Sequence, residues 1–177
     1  MARVYLSLGS NVDSERHIAD ALRALRERFG ALDVSPTYRS AAVGFEGAAF
    51  LNNAAAFDCD VDRDSLRAWL RALEDASGRD RSLPRYADRT LDLDIALWCE
   101  GERCTTDLTR EEFERAHVLA PLADIASDLR EPFAGTTLRE RWLKLAPSLP
   151  ELERIDQSHS GDSPNEAKAK QSANKRK

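Results

Sequence analysis

Hydrophobic and polar positions follow two different periods along this chain, and each period predicts one kind of element. Alternation at every second residue predicts four strands, at 3–8, 32–39, 50–59 and 90–98. Recurrence at helical spacing predicts five helices, at 14–29, 64–76, 111–115, 122–127 and 138–145. Strands and helices interleave with short connections, which suits a mostly antiparallel sheet that carries helices on its faces.

The end of the chain differs in composition from the rest. Residues 156–177 contain no hydrophobic side chain larger than alanine and are rich in Ser, Asn, Gln and Lys. Such a segment cannot bury enough apolar surface to offset the entropy of ordering, so we expect a disordered polar and basic tail. Residues 1–155 are long enough to form one domain with its own core.

Composition narrows the class of protein. A hydrophobic content of 42% and a charged content of 32% fit a globular protein, and the net charge of −5 argues against nucleic-acid binding. No apolar run approaches a membrane span or a secretory signal, and we expect a cytoplasmic monomer that binds no membrane. The three cysteines are odd in number and lack a C-x-x-C spacing, which indicates neither a disulfide framework nor a structural zinc site.

The segment 78–95 carries the chemistry that distinguishes this sequence. Its loop contains four arginines, Arg79, Arg81, Arg85 and Arg89. On the strand that follows, Asp92 and Asp94 share one face and lie roughly 7 Å apart. The opposite face is expected to be apolar, with Leu91, Leu93, Ile95 and Leu97. Paired carboxylates suit Mg²⁺ and guanidinium groups suit phosphate, so the segment predicts a nucleotide phosphoryl-transfer site.

Each part of this segment also has a plain structural interpretation. Exposed aspartates on a strand and an arginine-rich loop are more often solvated surface than a binding site. However, Arg89 lies only three residues before Asp92, and a purely structural strand has little reason to carry opposed charges at its start. Glycine-rich nucleotide loops are absent, since neither G-x-x-x-x-G-K-[ST] nor G-x-G-x-x-G occurs.

This arginine and aspartate segment closely resembles that of the 6-hydroxymethyl-7,8-dihydropterin pyrophosphokinase family. The family reads G-R-x-R…R-W-G-P-R-T-L-D-L-D-I, and the chain follows it with equal spacing from Gly78 to Ile95. Four further segments resemble the family, Leu8-Gly9-Ser10-Asn11, Tyr38-Arg39-Ser40, Phe50-Leu51-Asn52 and Asp107-Leu108-Thr109. The likeness extends from about residue 3 to about residue 145.

The resemblance implies a fold and an activity. The fold would be α+β and ferredoxin-like, with three α/β/α layers around a central, mainly antiparallel sheet. The activity would be transfer of the β,γ-pyrophosphoryl group of ATP, the co-substrate, to the hydroxymethyl group of a reduced pterin in folate biosynthesis, with release of AMP. Two Mg²⁺ ions would be held by Asp92 and Asp94.

The resemblance also assigns the other site residues. Arg79 and Arg89 would be catalytic, and residues 78–90 would form a mobile loop that closes over the substrates. The nucleotide would be bound by Glu74, Arg81, Arg89, Ile95, Thr109 and Arg115. The pterin would be bound by Ser40, Ala41, Val43, Phe50, Asn52, Tyr86 and His117.

Four positions depart from the family's pattern. Tyr86 stands in place of Trp, and Ala87-Asp88 in place of Gly-Pro. His117 replaces a ring-stacking Phe, and we expect pterin affinity to fall as its imidazole protonates near the ordinary pKa of about 6.5. The segment after Thr109 is shorter and lacks the family's nucleotide-contacting His. Two alternatives stay open, a diverged paralogue acting on another pterin-like alcohol and a non-catalytic nucleotide- or pterin-binding module on the same fold.

Overall fold

A sheet of seven strands forms the centre of the protein. The computed structural model describes residues 1–42, 46–79, 82 and 88–155. The strands are β1 (Ala2–Ser10), β2 (Asp33–Val34), β3 (Thr37–Ser40), β4 (Phe50–Cys59), β5 (Asp92–Glu100), β6 (Arg103–Thr105) and β7 (Glu153–Ile155). Their order is β6-β5-β1-β4-β3-β7, with β2 also paired to β4, and every described pairing is antiparallel. The predicted α+β class with a mainly antiparallel sheet is confirmed.

The described residues also form five α-helices and one short 3₁₀ turn. They are α1 (Ser14–Phe29), α2 (Arg63–Ala76), α3 (Arg110–Phe113), α4 (Ala116–Ile125), α5 (Leu138–Leu145) and the turn Ala146–Ser148. Asp62 begins α2 by accepting a hydrogen bond from Ser65 N at 2.9 Å. Gly30, at a φ of 83°, ends α1. No helix in the described ranges is long and apolar enough to cross a membrane.

Two apolar clusters hold the helices to the sheet. The first contains alternate residues of β1 together with α1 and α2, namely Val4, Leu6, Leu8, Leu25, Leu66 and Leu70. The second contains parts of β4 and β5 together with α3, α4 and α5, namely Ala54, Leu97, Phe113, Leu119, Leu122 and Leu138. Because the side chains of a strand alternate between its faces, both faces of the sheet are covered.

The predicted strand at 32–39 is interrupted in its middle. β2 and β3 both pair with β4, and residues between them leave the ladder. Pro36 has no N–H to donate, so it cannot continue the pairing. Ser35 replaces the missing hydrogen bonds of the ladder, because its N–H donates to Ala54 O at 2.9 Å and its hydroxyl accepts from Ala54 N at 2.8 Å.

β5 contains a bulge that the alternation did not reveal. Tyr5 pairs with Leu97 while Leu6 pairs with Ile95, so Ala96 is an extra residue opposite β1. Because of this extra residue, the side chains after the bulge point to the opposite face of the sheet from the one that strict alternation predicts. Leu97 therefore packs in the second cluster, while Ile95 packs in the first. The prediction that Leu97 shares a face with Ile95 is therefore wrong.

The C-terminal half differs most from the predicted elements. α4 begins at Ala116 rather than near 122, because its residues are buried on most sides and give no helical period. Tyr38 of β3 anchors this helix by donating from its hydroxyl to Asp124 at 2.6 Å. Burial and that bond raise the pKa of Tyr38 to about 12.

Cys99 and Cys104 form a disulfide, which the sequence had not indicated. They are direct partners in the β5–β6 hairpin, with Cα atoms 4.1 Å apart. Cys59 is buried and free. The odd number of cysteines did not indicate this disulfide, because the two cysteines become neighbours only through the register of the hairpin.

Candidate active site

A cavity of about 390 Å³ opens where β1, β4 and β5 run side by side. In the sheet register, Gly9 of β1 pairs with Asp92 on one side and with Asn52 on the other. One row across three strands therefore joins the predicted metal side to the predicted pterin side. The cavity gathers ten of the predicted site residues, Ser40, Ala41, Phe50, Asn52, Arg79, Arg89, Asp92, Asp94, Arg115 and His117.

Gly9 leaves the middle of this row open. A Cβ at this position would lie 3.5 Å from Asn52 Oδ1 and 3.9 Å from Phe50 Cδ1, which are ordinary contact distances. The backbone would tolerate a side chain there, but that side chain would take up space between Asn52 and Asp92. The missing side chain thus creates room for a ligand that reaches from one side to the other.

Asp92 is the centre of an ion-pair network on the metal side. Its two carboxylate oxygens accept from Nη1 of Arg79 and Nη1 of Arg89. Arg79 also donates to Glu74 Oε1 at 2.5 Å, and that same oxygen accepts from Leu93 N at 2.9 Å. Glu74 is 4% exposed and is absent from the cavity lining. Through these hydrogen bonds, the buried Glu74 side chain links α2 to Arg79 and to β5.

Asp94 faces the cavity two residues further along the strand. The residue is exposed, but the surrounding protein displaces part of its water, and this raises its pKa to about 7, with the charges of Asp92 and Glu74 adding to the shift. Arg89 and Arg79 act in the opposite direction but do not cancel the effect. A carboxyl group in such an environment gains from a bound cation, which supports the predicted role in metal binding.

The metal side consists of this pair rather than a larger cluster. Across the described ranges, no group of three or more His, Cys, Asp and Glu side chains is arranged to hold a metal ion. Two carboxylates and ATP oxygens together would suit Mg²⁺, which keeps several non-protein ligands in its octahedral shell. The donor set therefore fits Mg²⁺ delivered with a nucleotide.

Asn52 lies at the centre of the predicted pterin side. It is 3% exposed, and its Nδ2 donates to Ser40 Oγ at 2.9 Å and to Tyr38 O at 3.3 Å. These bonds fix the amide and place its oxygen beside Gly9. Phe50, two residues earlier on the same face, adds an apolar wall. The combination suits a flat ring with a hydrogen-bonding edge.

His117, in the first turn of α4, lies across the cavity from the sheet. Desolvation lowers its pKa to about 4, and the neighbouring Arg115 contributes in the same direction. The imidazole is therefore neutral at physiological pH, which favours stacking on a ring. The expected titration near pH 6.5 is wrong for the folded protein.

Other predicted residues lie at the edge of the cavity or away from it. Thr109 caps α3, where its hydroxyl accepts from Glu112 N at 3.3 Å, and it is absent from the lining. The Ile95 side chain packs in the first apolar cluster, so only its backbone could reach a nucleotide. The predicted contacts of Arg81, Tyr86 and Val43 lie outside the described residues, as does most of the expected mobile loop.

Six lining residues had not been assigned to the site. They are Ser7, Gly9, Asp107, Leu108, Glu112 and Val118. Asp107 is held firmly, because Nε and Nη2 of Arg67 donate to its two oxygens at 2.6 Å each and Arg63 also pairs with it. The alternation of β1 could have indicated Ser7 and Gly9, since they share the face opposite Leu6 and Leu8.

Comparison with known proteins identifies the family of this chain. Residues 5–127 match the family model described as 7,8-dihydro-6-hydroxymethylpterin-pyrophosphokinase. A 2-amino-4-hydroxy-6-hydroxymethyldihydropteridine pyrophosphokinase of Pseudomonas aeruginosa is 41% identical over 140 residues, covering 73% of this chain and 84% of that protein. A protein of the same name from Methylorubrum extorquens is 36% identical over 164 residues, covering 88% of this chain and 100% of that protein. The chain therefore belongs to the 7,8-dihydro-6-hydroxymethylpterin-pyrophosphokinase family.

Proposed function

We propose that this chain is an ATP-dependent pyrophosphokinase of folate biosynthesis. The hydroxymethyl oxygen of 6-hydroxymethyl-7,8-dihydropterin attacks the β-phosphorus of ATP and its proton is released to solvent, while the bond from that phosphorus to the oxygen shared with the α-phosphate breaks and AMP leaves. The observation that carries the proposal is the row Asp92–Gly9–Asn52, which joins a charged side to a ring-binding side in one cavity. The arrangement supports direct transfer between two bound substrates.

Positioning and charge are the main requirements of such a transfer. The chain needs no covalent nucleophile, because the acceptor alcohol is itself the nucleophile. Arg79 and Arg89 both reach Asp92 at the cavity wall, and phosphate oxygens offer their guanidinium groups alternative partners. Arg115, paired with Glu111 at 3.5 Å, is a further cation in the lining that suits the nucleotide.

Asp92 and Asp94 are the residues proposed to hold Mg²⁺, and two ions are proposed on the basis of the family resemblance. When bound, Mg²⁺ would neutralise phosphate charge at the transferred group. Asp94 is the stronger candidate in this structure, because Asp92 is paired with both arginines whereas Asp94 bears an unfavourable negative environment. Asp92 would become available as the arginines turn to phosphate.

The fold type, the domain bounds, the oligomeric state and the cellular location are part of the same proposal. The sheet with helices on both faces is proposed to be the ferredoxin-like, three-layer arrangement, with residues 1–155 as the domain and 156–177 as a polar tail. A cytoplasmic monomer remains the proposal, and light scattering of the purified protein tests the oligomeric state. The Cys99–Cys104 disulfide is the observation that opposes this compartment, since disulfides are rare in the cytosol.

Formation of AMP tests the proposed activity. The purified chain is mixed with Mg²⁺, ATP and 6-hydroxymethyl-7,8-dihydropterin, and nucleotides and pterins are separated by chromatography. We expect AMP and pyrophosphorylated pterin in equal amounts, and no turnover after chelation of Mg²⁺. Turnover only with a different pterin-like alcohol would favour the diverged paralogue. Binding of both ligands without AMP would favour the non-catalytic module.

Asp94→Asn is the sharpest variant for the metal role. It keeps the size of the side chain but removes a charged ligand, so we expect kcat to fall by about 100-fold or more. The melting temperature should be kept or raised at pH 8, because a carboxylate repelled by Asp92 and Glu74 is lost. Asp60→Asn, at an exposed position outside the cavity, is the matched control. Wild-type turnover in Asp94→Asn would remove the metal role.

A further inference from the structure

Asn11, just after β1, connects three separate segments near the cavity. It is 6% exposed, and both the nitrogen and the oxygen of its amide are hydrogen-bonded. Its Nδ2 donates to Asp88 Oδ1 at 2.7 Å and to Ala48 O at 3.3 Å. Its Oδ1 accepts from Arg89 N at 2.7 Å, and its own backbone N donates to Arg89 O at 3.0 Å. The backbone of Arg89 is thus held on both sides by one residue.

The Asp88 carboxylate determines how the Asn11 amide is oriented. A carboxylate can only accept, whereas the Arg89 N–H can only donate. Nδ2 must therefore face Asp88, and Oδ1 must face Arg89. Rotation of the amide by half a turn would set oxygen against oxygen and N–H against N–H. An anionic acceptor also strengthens the hydrogen bond that it receives.

This orientation bears on the position of the Arg89 guanidinium. Arg89 reaches Asp92 only three residues further along the chain, at the start of β5. Next to it, Ser10 Oγ donates to Thr90 O at 2.6 Å, so the end of β1 fixes residues 88–90 as a short anchored segment. A side chain that must meet a developing charge works best when its own backbone is held.

We propose that Asn11 and Asp88 form a positioning pair that sets Arg89 for pyrophosphoryl transfer. The proposal rests on the proposed function, because it assigns the pair to that reaction. Neither residue lines the cavity, so the pair acts through Arg89 and not on the substrates. Loss of the pair lowers kcat more than it weakens binding of ATP or pterin.

An exchange of the two side chains tests the pair. Asn11→Asp removes the donor and sets two carboxylates against each other, and we expect kcat to fall about tenfold while KM changes by less than about threefold. Asp88→Asn leaves Asn11 an acceptor but removes the charge that fixes the orientation of its amide, so we expect a smaller fall of kcat, about threefold to fivefold. The double variant Asn11→Asp/Asp88→Asn exchanges donor and acceptor, and should recover kcat to within about threefold of the wild type.

All variants are measured under the same buffer, salt and pH conditions. Amide hydrogen exchange at Arg89 gives a readout that does not depend on turnover. We expect faster exchange in Asn11→Asp and recovery in the double variant. Melting temperatures show how much of each effect comes from global stability.

Two results would overturn the proposal. They are an unchanged kcat in Asn11→Asp, whether or not its melting temperature falls, and a double variant no better than the single one. Failure of the proposed function gives a different pattern, since the wild type would then form no AMP. In that case unchanged exchange at Arg89 in Asn11→Asp would still overturn the pair, and recovery in the double variant would support it as an anchor for Arg89.

Discussion

A side chain at position 9 would fill the space between Asn52 and Asp92. Substitution of Gly9 therefore tests whether the ligand occupies the middle of the cavity. We expect Gly9→Ala to weaken pterin binding and Gly9→Val to weaken it by about tenfold or more, because each added methyl group displaces ligand volume. The fold should be kept, since the new Cβ meets only ordinary contacts at 3.5 and 3.9 Å. Calorimetry with the pterin and an unreactive ATP analogue measures the affinity.

The stability of the two variants separates blocking from unfolding. Replacement of glycine by alanine in a compatible conformation reduces the entropy of the unfolded chain, so Gly9→Ala should melt no lower than the wild type. Undiminished pterin affinity in Gly9→Val would mean that the ligand does not cross the row at Gly9.

His117 predicts a specific dependence of stability on pH. Its pKa is about 4 in the folded chain and about 6.5 when unfolded. Between these values the unfolded state binds a proton that the native state does not, so stability falls as the pH drops from 6.5 towards 4. Above 6.5 the histidine has no effect. The melting temperature of His117→Phe should therefore fall less steeply over this window.

His117→Gln provides the matched control for this measurement, because glutamine keeps a polar side chain but does not titrate. Both variants should show the same shallow slope, and parallel curves for all three proteins would contradict the lowered pKa. Pterin affinity of the wild type should stay constant from pH 6 to 8 as far as His117 is concerned.

Local spacing made some site residues predictable and left others hidden. Arg79, Arg89, Asp92 and Asp94 lie close in sequence, and the spacing of their charges is enough to indicate a site. Gly9 lines the cavity because β1 pairs with β5, and Asp107 lines it because an arginine of α2 holds it there. Neither contact can be predicted from a local sequence pattern. Glu74 was expected to bind the nucleotide, but the structure buries it beneath Arg79, where it joins helix and strand.

Among the elements, β5 shows how a single extra residue changes the use of a strand. Before the bulge, its cavity face carries Asp92 and Asp94, and after the bulge the same face of the sheet receives Leu97 and Cys99. Strict alternation would have placed Leu97 in the other cluster. Period-two patterns cannot reveal such a shift, because a bulge depends on the partner strand.

The β5–β6 hairpin predicts the thiol content of the protein. With Cys99 and Cys104 joined and Cys59 free, the denatured protein should show one reactive thiol without a reductant and three with it. Titration with a chromogenic disulfide reagent in denaturant measures the count. The variant Cys104→Ser should show two thiols under both conditions.

A count of three thiols in the unreduced wild type would contradict the disulfide in the purified protein. Such a result would also fit the proposed cytoplasmic location, where thiols are kept reduced. Cys59→Ser is the companion variant, because it removes the buried free thiol and should leave none to react before reduction.

At the scale of the whole molecule, the last described strand predicts where the chain can be shortened. A chain ending at Ile155 should keep its melting temperature and its turnover, since the expected tail contributes no core. A chain ending at Leu152 loses β7 and the 2.9 Å ion pair between Arg39 and Glu153, and it leaves β3 as an unpaired edge. We expect its melting temperature to fall by about 4 °C or more.

A fall of equal size for both truncations would contradict this boundary and give the tail a structural role. The class of fold could be predicted because most of the long strands and helices, with α4 as an exception, have their own period. The strand order could not, because it depends on which distant segments pair, as β1 does with β4 and β5.

The position of β1 has a consequence for how the protein is made. Among the described strands, β1 precedes all the others in the chain and lies inside the sheet, and both of its neighbours, β4 and β5, are synthesised later. Until residues 50–59 and 92–100 emerge, Val4, Leu6 and Leu8 have no sheet in which to bury. During that interval the nascent chain lacks both strand partners of β1 and exposes apolar surface, which favours aggregation and binding by chaperones. The row Asp92–Gly9–Asn52 can form only after β5 has been made, when more than half of the chain has been synthesised.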